Sequence, residues 1–171
     1  MSDINSKQIF DFENTFAELV APNNPAPQHE PREASENDIK QALKAAGQAA
    51  YRWNIATDEL TWSTNAPEIL GCAMATVATG KLFASLLDIE NVTTRYETVM
   101  NSKARDDGRG VPFQIEYLFR SLGRNNTESV WLEDMGCWTA GLDGIPTTAF
   151  GTIRRIDERH RRDQQLNYIG N

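Results

Sequence analysis

From Tyr51 onward the apolar residues of this chain recur at every second position. Tyr51, Trp53 and Ile55 alternate with Arg52 and Asn54. After Thr57-Asp58-Glu59 the alternation resumes with Leu60 and Trp62 around Thr61. Successive side chains of a strand point to opposite faces, so period two marks a half-buried strand and the polar triplet marks a hairpin turn. The same period returns late in the chain, where Phe113, Ile115, Tyr117 and Phe119 alternate with Gln114, Glu116 and Arg120. Val130 to Thr139 and Thr147 to Ile156 read as two further strands, separated by the polar loop Gly123 to Ser129 and the turn Gly141 to Pro146. Between these two groups period two is lost. Ser63 predicts the cap of a short helix with Pro67 in its first turn and Gly71 at its end. Short helical turns are expected from Cys72 to Asp88. A helix is expected over 89–104, with Val92, Tyr96, Val99 and Met100 on one face and Arg95 and Lys103 outside it. Strands at both ends with helices between predict an α+β domain: one five-stranded antiparallel sheet with helices on one face.

The flanks differ in character. Ser35 reads as an N-cap with Asp38 three residues on, and Ile39, Ala42, Leu43 and Ala46 form a stripe ending at Gly47. Further upstream, Ile9, Phe12, Phe16, Leu19 and Val20 lie on one face of an amphipathic helix, and four of the seven prolines then fall between Pro22 and Pro31. The organisation expected is an acidic leader over 1–34, the sheet domain over 35–156 and a charged connector helix over 157–171. Of the net charge of −7, residues 1–38 contribute eight acids against two bases, whereas residues 39–156 hold thirteen acids and twelve bases. This balance argues against a nucleic-acid binder and against adhesion to anionic lipid. No apolar run reaches the roughly 18 residues of a membrane span, and no secretory signal is visible at Met1-Ser2-Asp3. A cytoplasmic protein is expected. Cys72 and Cys137 read as small apolar residues, and His29 and His160 lack the close co-ligands of a metal site. No catalytic residues are expected: Glu133 and Asp134 are strand neighbours pointing to opposite faces, and no nucleophile triad or phosphate-cradling loop appears.

The ordered set Tyr51-Arg52-Trp53-Asn54, Asp58-Glu59-Leu60-Thr61-Trp62-Ser63, Ile69-Leu70-Gly71, Glu116-Tyr117, Val130-Trp131-Leu132-Glu133, Asp143-Gly144-Ile145-Pro146 and Phe150-Gly151-Thr152-Ile153 resembles a PAS domain. The likeness is to the subclass with tryptophans on its first two strands, and it covers roughly residues 40–157. The stretch Arg155-Ile156-Asp157-Glu158-Arg159 stands where that family usually has Asp-Ile-Thr followed by Glu-Arg, so the usual aspartate anchor of the following helix is absent. The tail resembles the connector before a GGDEF domain. The resemblance implies an N-terminal sensor of a bacterial GGDEF/EAL cyclic di-GMP protein. It would form a homodimer through its flanking helices, 36–46 and 157–169, and act on a C-terminal output domain. It implies a non-enzymatic sensory and dimerisation module.

The string Gly123-Arg124-Asn125-Asn126 resembles the flavin motif of the light-sensing subclass, but it lies in a hairpin loop and lacks the adduct-forming cysteine. Residues 89–104 hold no histidine for a haem. Neither flavin nor haem is expected. What remains is a cavity between the sheet and the 89–104 helix, holding a small apolar ligand or none. Its candidate lining is Trp53, Trp62, Tyr117, Trp131, Met135 and Phe150, accompanied by Tyr51, Phe113 and Ile115. The Tyr117 hydroxyl, the indole nitrogens and Arg95 are its candidate polar groups. A one-residue error of parity would invert any strand's contribution. Two competing readings are a ligand-free interaction module that sets oligomeric state, and a small ligand-binding or enzymatic α+β domain.

Overall fold

The alternating segments pair into one sheet because each leaves an apolar lane that must be buried. In the computed structural model, which describes residues 30–157 with Arg162, Asp163 and Leu166, the elements run as follows. Helix α1 (Glu36–Ala45) leads into β1 (Gln48–Asn54) and β2 (Glu59–Trp62). Short helices follow: α2 (Ala66–Leu70), a 3-10 turn (Met74–Val77), α3 (Gly80–Ser85) and α4 (Arg95–Met100). Strands β3 (Val111–Phe119), β4 (Val130–Ala140) and β5 (Pro146–Ile156) complete the domain. The sheet has five strands in the order β2-β1-β5-β4-β3, and every pairing is antiparallel. The expected leader helix at 6–20 and most of the expected connector helix lie outside the described residues.

The first and last strands are therefore central neighbours, with Tyr51 opposite Gly151 and Gln48 opposite Arg154. The inner lanes are Ala49, Tyr51 and Trp53 on β1, Leu60 and Trp62 on β2, and Ile115, Tyr117 and Phe119 on β3. Leu132, Asp134, Gly136 and Trp138 on β4 meet Ala149, Gly151 and Ile153 on β5. Phe83 of α3 packs on this floor with Leu70, Val77, Leu87 and Val99.

The helix expected over 89–104 is only α4. Asn91 is used elsewhere: its side-chain amide donates to the Leu118 carbonyl at 2.9 Å and accepts from the Leu118 N–H at 2.8 Å. It thus completes the free edge of β3 as a strand would. Thr94 then caps α4 by accepting from the Glu97 N–H at 3.2 Å. Val92 is left 98 % exposed, and Arg95, expected off the helix's apolar face but also as a polar group of the cavity, turns inward. Asn65 rather than Ser63 stands at the cap of α2; the Ser63 hydroxyl instead accepts from Ala50 N and bonds Asn65.

Gly151 and Gly136 face each other across β5 and β4. A Cβ on Gly151 would lie 2.5 Å from the Tyr51 hydroxyl and 2.6 Å from the Met135 carbonyl. One on Gly136 would lie 2.6 Å from the Phe113 ring. The bare lane is what lets the Tyr51 phenol cross β5 and reach β4. Gly151→Ala is accordingly expected to destabilise the domain by about 1–3 kcal/mol, because backbone lies on the clashing side and cannot yield as a side chain would. Urea unfolding measures this, and an unchanged midpoint would refute the account.

Candidate functional site

Arg95 is the first residue of α4, and its side chain enters the core. There it meets Asp134 from β4, Tyr51 from β1 and Tyr117 from β3. Asp134 Oδ1 accepts from the Tyr51 hydroxyl at 2.7 Å. Asp134 Oδ2 accepts from the Tyr117 hydroxyl at 2.7 Å and from Arg95 Nε at 2.8 Å. Arg95 Nη2 also donates to the Tyr117 oxygen at 3.3 Å. Arg95 is 4 % exposed and Asp134 0 %. Two opposite charges can be held this deep only because each compensates the other and the phenols supply the remaining bonds. The guanidinium carbon lies 3.9 Å from the Tyr51 ring centre and 4.6 Å from that of Phe83, two cation–π contacts.

The protonation states follow. Burial alone would lower the Arg95 pKa, but the Asp134 carboxylate and the two phenol oxygens outweigh it and raise it. For Tyr51 and Tyr117, burial is the largest influence; the Asp134 carboxylate adds to it, Arg95 opposes it, and both phenols stand well above their ordinary value. The cluster thus holds an arginine cation and two neutral phenols around Asp134.

Beside the cluster a groove of about 540 Å³ opens between β1, α3 and α4. Trp53, Phe83, Leu87 and Arg95 form its buried lining, Asp58 is half-buried, and Lys81, Tyr96, Glu97 and Arg124 stand at its exposed parts. The Trp53 indole donates to Asp58 Oδ1 at 2.9 Å, and the Lys81 N–H donates to Asp58 Oδ2 at 3.0 Å. Asp58, with φ of 63° in the β1–β2 turn, thereby latches the hairpin to α3. Arg124 donates to the carbonyls of Leu87 and Ala84 from the β3–β4 loop.

Of the six residues expected to line a cavity, Trp53 lines this groove. Tyr117 belongs to the buried cluster. Trp62 is on the inner face but stacks toward Phe83 at 5.7 Å and donates to the Val77 carbonyl at 2.9 Å. Trp131, Met135 and Phe150 lie on the opposite, outer face of the sheet, as their register with Ile156, Thr152 and Cys137 requires. The parity expected for β4 and β5 is thus reversed. The inner lane of β5 is made of Ala149, Gly151 and Ile153, small enough to be overlooked beside Phe150, and that of β4 carries a charge at Asp134. On the outer face Arg52 lies 5.4 Å over the Phe150 ring. Sequence reasoning missed Asp134 and Phe83. A carboxylate in the same lane as Leu132 and Trp138 was a usable signal for the first; Phe83 sits in a six-residue helix too short to show a period. Arg155, standing where the aspartate is expected, donates from Nε to the Ile69 carbonyl at 2.6 Å.

The chain has the PAS fold, as its architecture and its structural neighbours show. No family model and no curated protein matches the sequence. Among solved structures, it is similar to the N-terminal domain of a diguanylate cyclase with a PAS/PAC sensor from Marinobacter aquaeolei. That likeness has a TM-score of 0.51 at 14 % identity, over 66 % of this chain and 98 % of that one. It is also similar to a Light-Oxygen-Voltage domain studied with a flavin analogue, at TM-score 0.50 and 16 % identity, over 76 % of this chain and 93 % of that one.

Proposed function

We propose that this chain is a cytoplasmic PAS sensory module that reads a small molecule in the groove beside Arg95 and passes the state of that groove to an output domain. The observation that carries the reading is the groove itself, built against a fully buried Arg95–Asp134 pair. A ligand there touches α3 and α4 directly and Asp134 of the central sheet at one remove. The pairing of Gln48 with Arg154 brings the start of β1 and the end of β5 side by side, so the flanks at 36–46 and from 157 onward leave the sheet from one end. A ligand that favours one arrangement of these flanks shifts their population by its difference in affinity for the two. The neighbour described as part of a diguanylate cyclase supports an output domain of the cyclic di-GMP class. Among the described residues no helix is long and apolar enough to cross a membrane.

The rival reading, a ligand-free interaction module, draws on Met135 and Phe150, which are 47 % and 44 % exposed on the outer face. One experiment separates the two. The chain is joined after Asn171 to a diguanylate cyclase domain, and cyclic di-GMP synthesis is measured for the parent, for Ala84→Trp and for Phe150→Asp. Filling the groove through Ala84 is expected to change output at least threefold. Output that ignores Ala84→Trp and collapses with Phe150→Asp would establish the rival instead.

A further inference from the structure

The buried cluster leaves Arg95 incompletely used. Of its five guanidinium N–H groups, that on Nε bonds Asp134 and one on Nη2 bonds Tyr117. The Tyr51 phenol takes a further share of the guanidinium, and the remaining N–H groups make no hydrogen bond among the described residues, although the side chain is 4 % exposed. Buried donors are nearly always paired, and leaving them unpaired is costly. The rings of Tyr51 and Phe83 lie close against the guanidinium and narrow the directions from which a missing acceptor can approach. Arg95 also lines the groove, beside ring surface from Trp53, Phe83 and Tyr96.

Charge decides what kind of acceptor fits. Asp134 already neutralises Arg95. Around the groove Lys81 and Arg124 are matched by Asp58 and Glu97. A carboxylate would surrender its hydration with no net positive charge to repay it, whereas a carbonyl oxygen is desolvated at little cost and still receives a charge-assisted bond. We propose that the groove takes a small neutral ligand with an aromatic body, whose carbonyl oxygen accepts the free N–H groups of Arg95. This rests on the sensory reading of the same groove and names the class of molecule sensed.

The test uses the whole chain labelled with ¹⁵N and three probes of similar size: acetophenone, ethylbenzene and benzoate. The signals followed are Arg95 Nε–H and the Trp53 indole N–H. Acetophenone is expected to move both and to bind at least tenfold more tightly than either other probe. Arg95→Gln should erase that preference. Because this variant disturbs a buried ion pair, Ala84→Phe serves as the second: it fills the groove without touching the cluster, and should abolish the acetophenone shifts. Equal binding of ethylbenzene would overturn the carbonyl assignment and leave a ligand-reading groove intact. Tighter binding of benzoate would overturn it in favour of an acid. If no probe moved either signal at millimolar concentration, the carbonyl assignment would fall, and the cyclase fusion would then decide separately whether the groove senses anything.

Discussion

Asp134→Ala is expected to lower folding stability by about 3–5 kcal/mol, the range for removing one partner of a buried ion pair. Three donors lose their acceptor at once: the Tyr51 and Tyr117 hydroxyls and Arg95 Nε. Arg95 cannot escape by shedding its proton, since an arginine is effectively always charged, and it is held against the rings of Tyr51 and Phe83. Domains of this kind are stable by only ~5–15 kcal/mol, so the variant would be near its limit. Chemical denaturation of the purified chain gives the number. Asp134→Asn, which keeps the shape and one oxygen, should lose less. The decisive comparison is the double substitution Arg95→Met with Asp134→Leu. Removing both charges leaves no orphan, so the pair should cost less than Asp134→Ala alone. A loss below about 1 kcal/mol for Asp134→Ala would mean that the ion pair is not holding α4 on the sheet.

The sheet was legible because alternation in β1, β2 and β3 is clean: Tyr51, Trp53, Leu60, Trp62, Ile115, Tyr117 and Phe119 all turn inward. Those strands pair one apolar face with one polar face, the condition under which period two is informative. It failed for β4 and β5 because their inner lanes carry Asp134, Gly136, Ala149 and Gly151, chosen for reach and clearance rather than for apolar area. The glycines are silent in a hydrophobicity pattern, yet without them Tyr51 could not cross to Asp134. Arg95 shows the opposite failure. A charge off the apolar face of an expected helix reads as solvated, and only its partner Asp134, 39 residues along the chain on a different element, compensates its burial. The helices were harder than the strands because each is five or six residues long after α1, fixed by caps such as Thr79 and Thr94 and by tertiary contacts rather than by a repeating face. Trp53 and Arg95 line the groove, but its α3 wall left no mark in the sequence pattern.

Phe83→Ala is expected to cost about 3–5 kcal/mol and to do so by releasing that wall. Phe83 is 2 % exposed and is the one buried residue of α3. Its ring stacks on Phe119 at 5.3 Å, meets Tyr117 edge-on at 5.8 Å and Trp62 at 5.7 Å, and covers one face of Arg95. A six-residue helix has no stability of its own, so the ring is what attaches α3 to the sheet. Truncation removes the attachment and exposes the Arg95 cation on that side. Thermal unfolding should fall by on the order of 6–40 °C, given roughly 2–8 °C per kcal/mol for domains spanning this size. Phe83→Leu, which keeps most of the apolar volume but no π face, should retain more than half of the lost stability; the remainder measures the ring's aromatic and cation–π contribution. Acetophenone gives a second readout. If the groove is where it binds, adding it should raise the melting point of the parent but not of Phe83→Ala, because the variant has lost both the ring surface and the α3 wall. Equal protection of the two proteins would place the bound molecule elsewhere and detach the groove from α3.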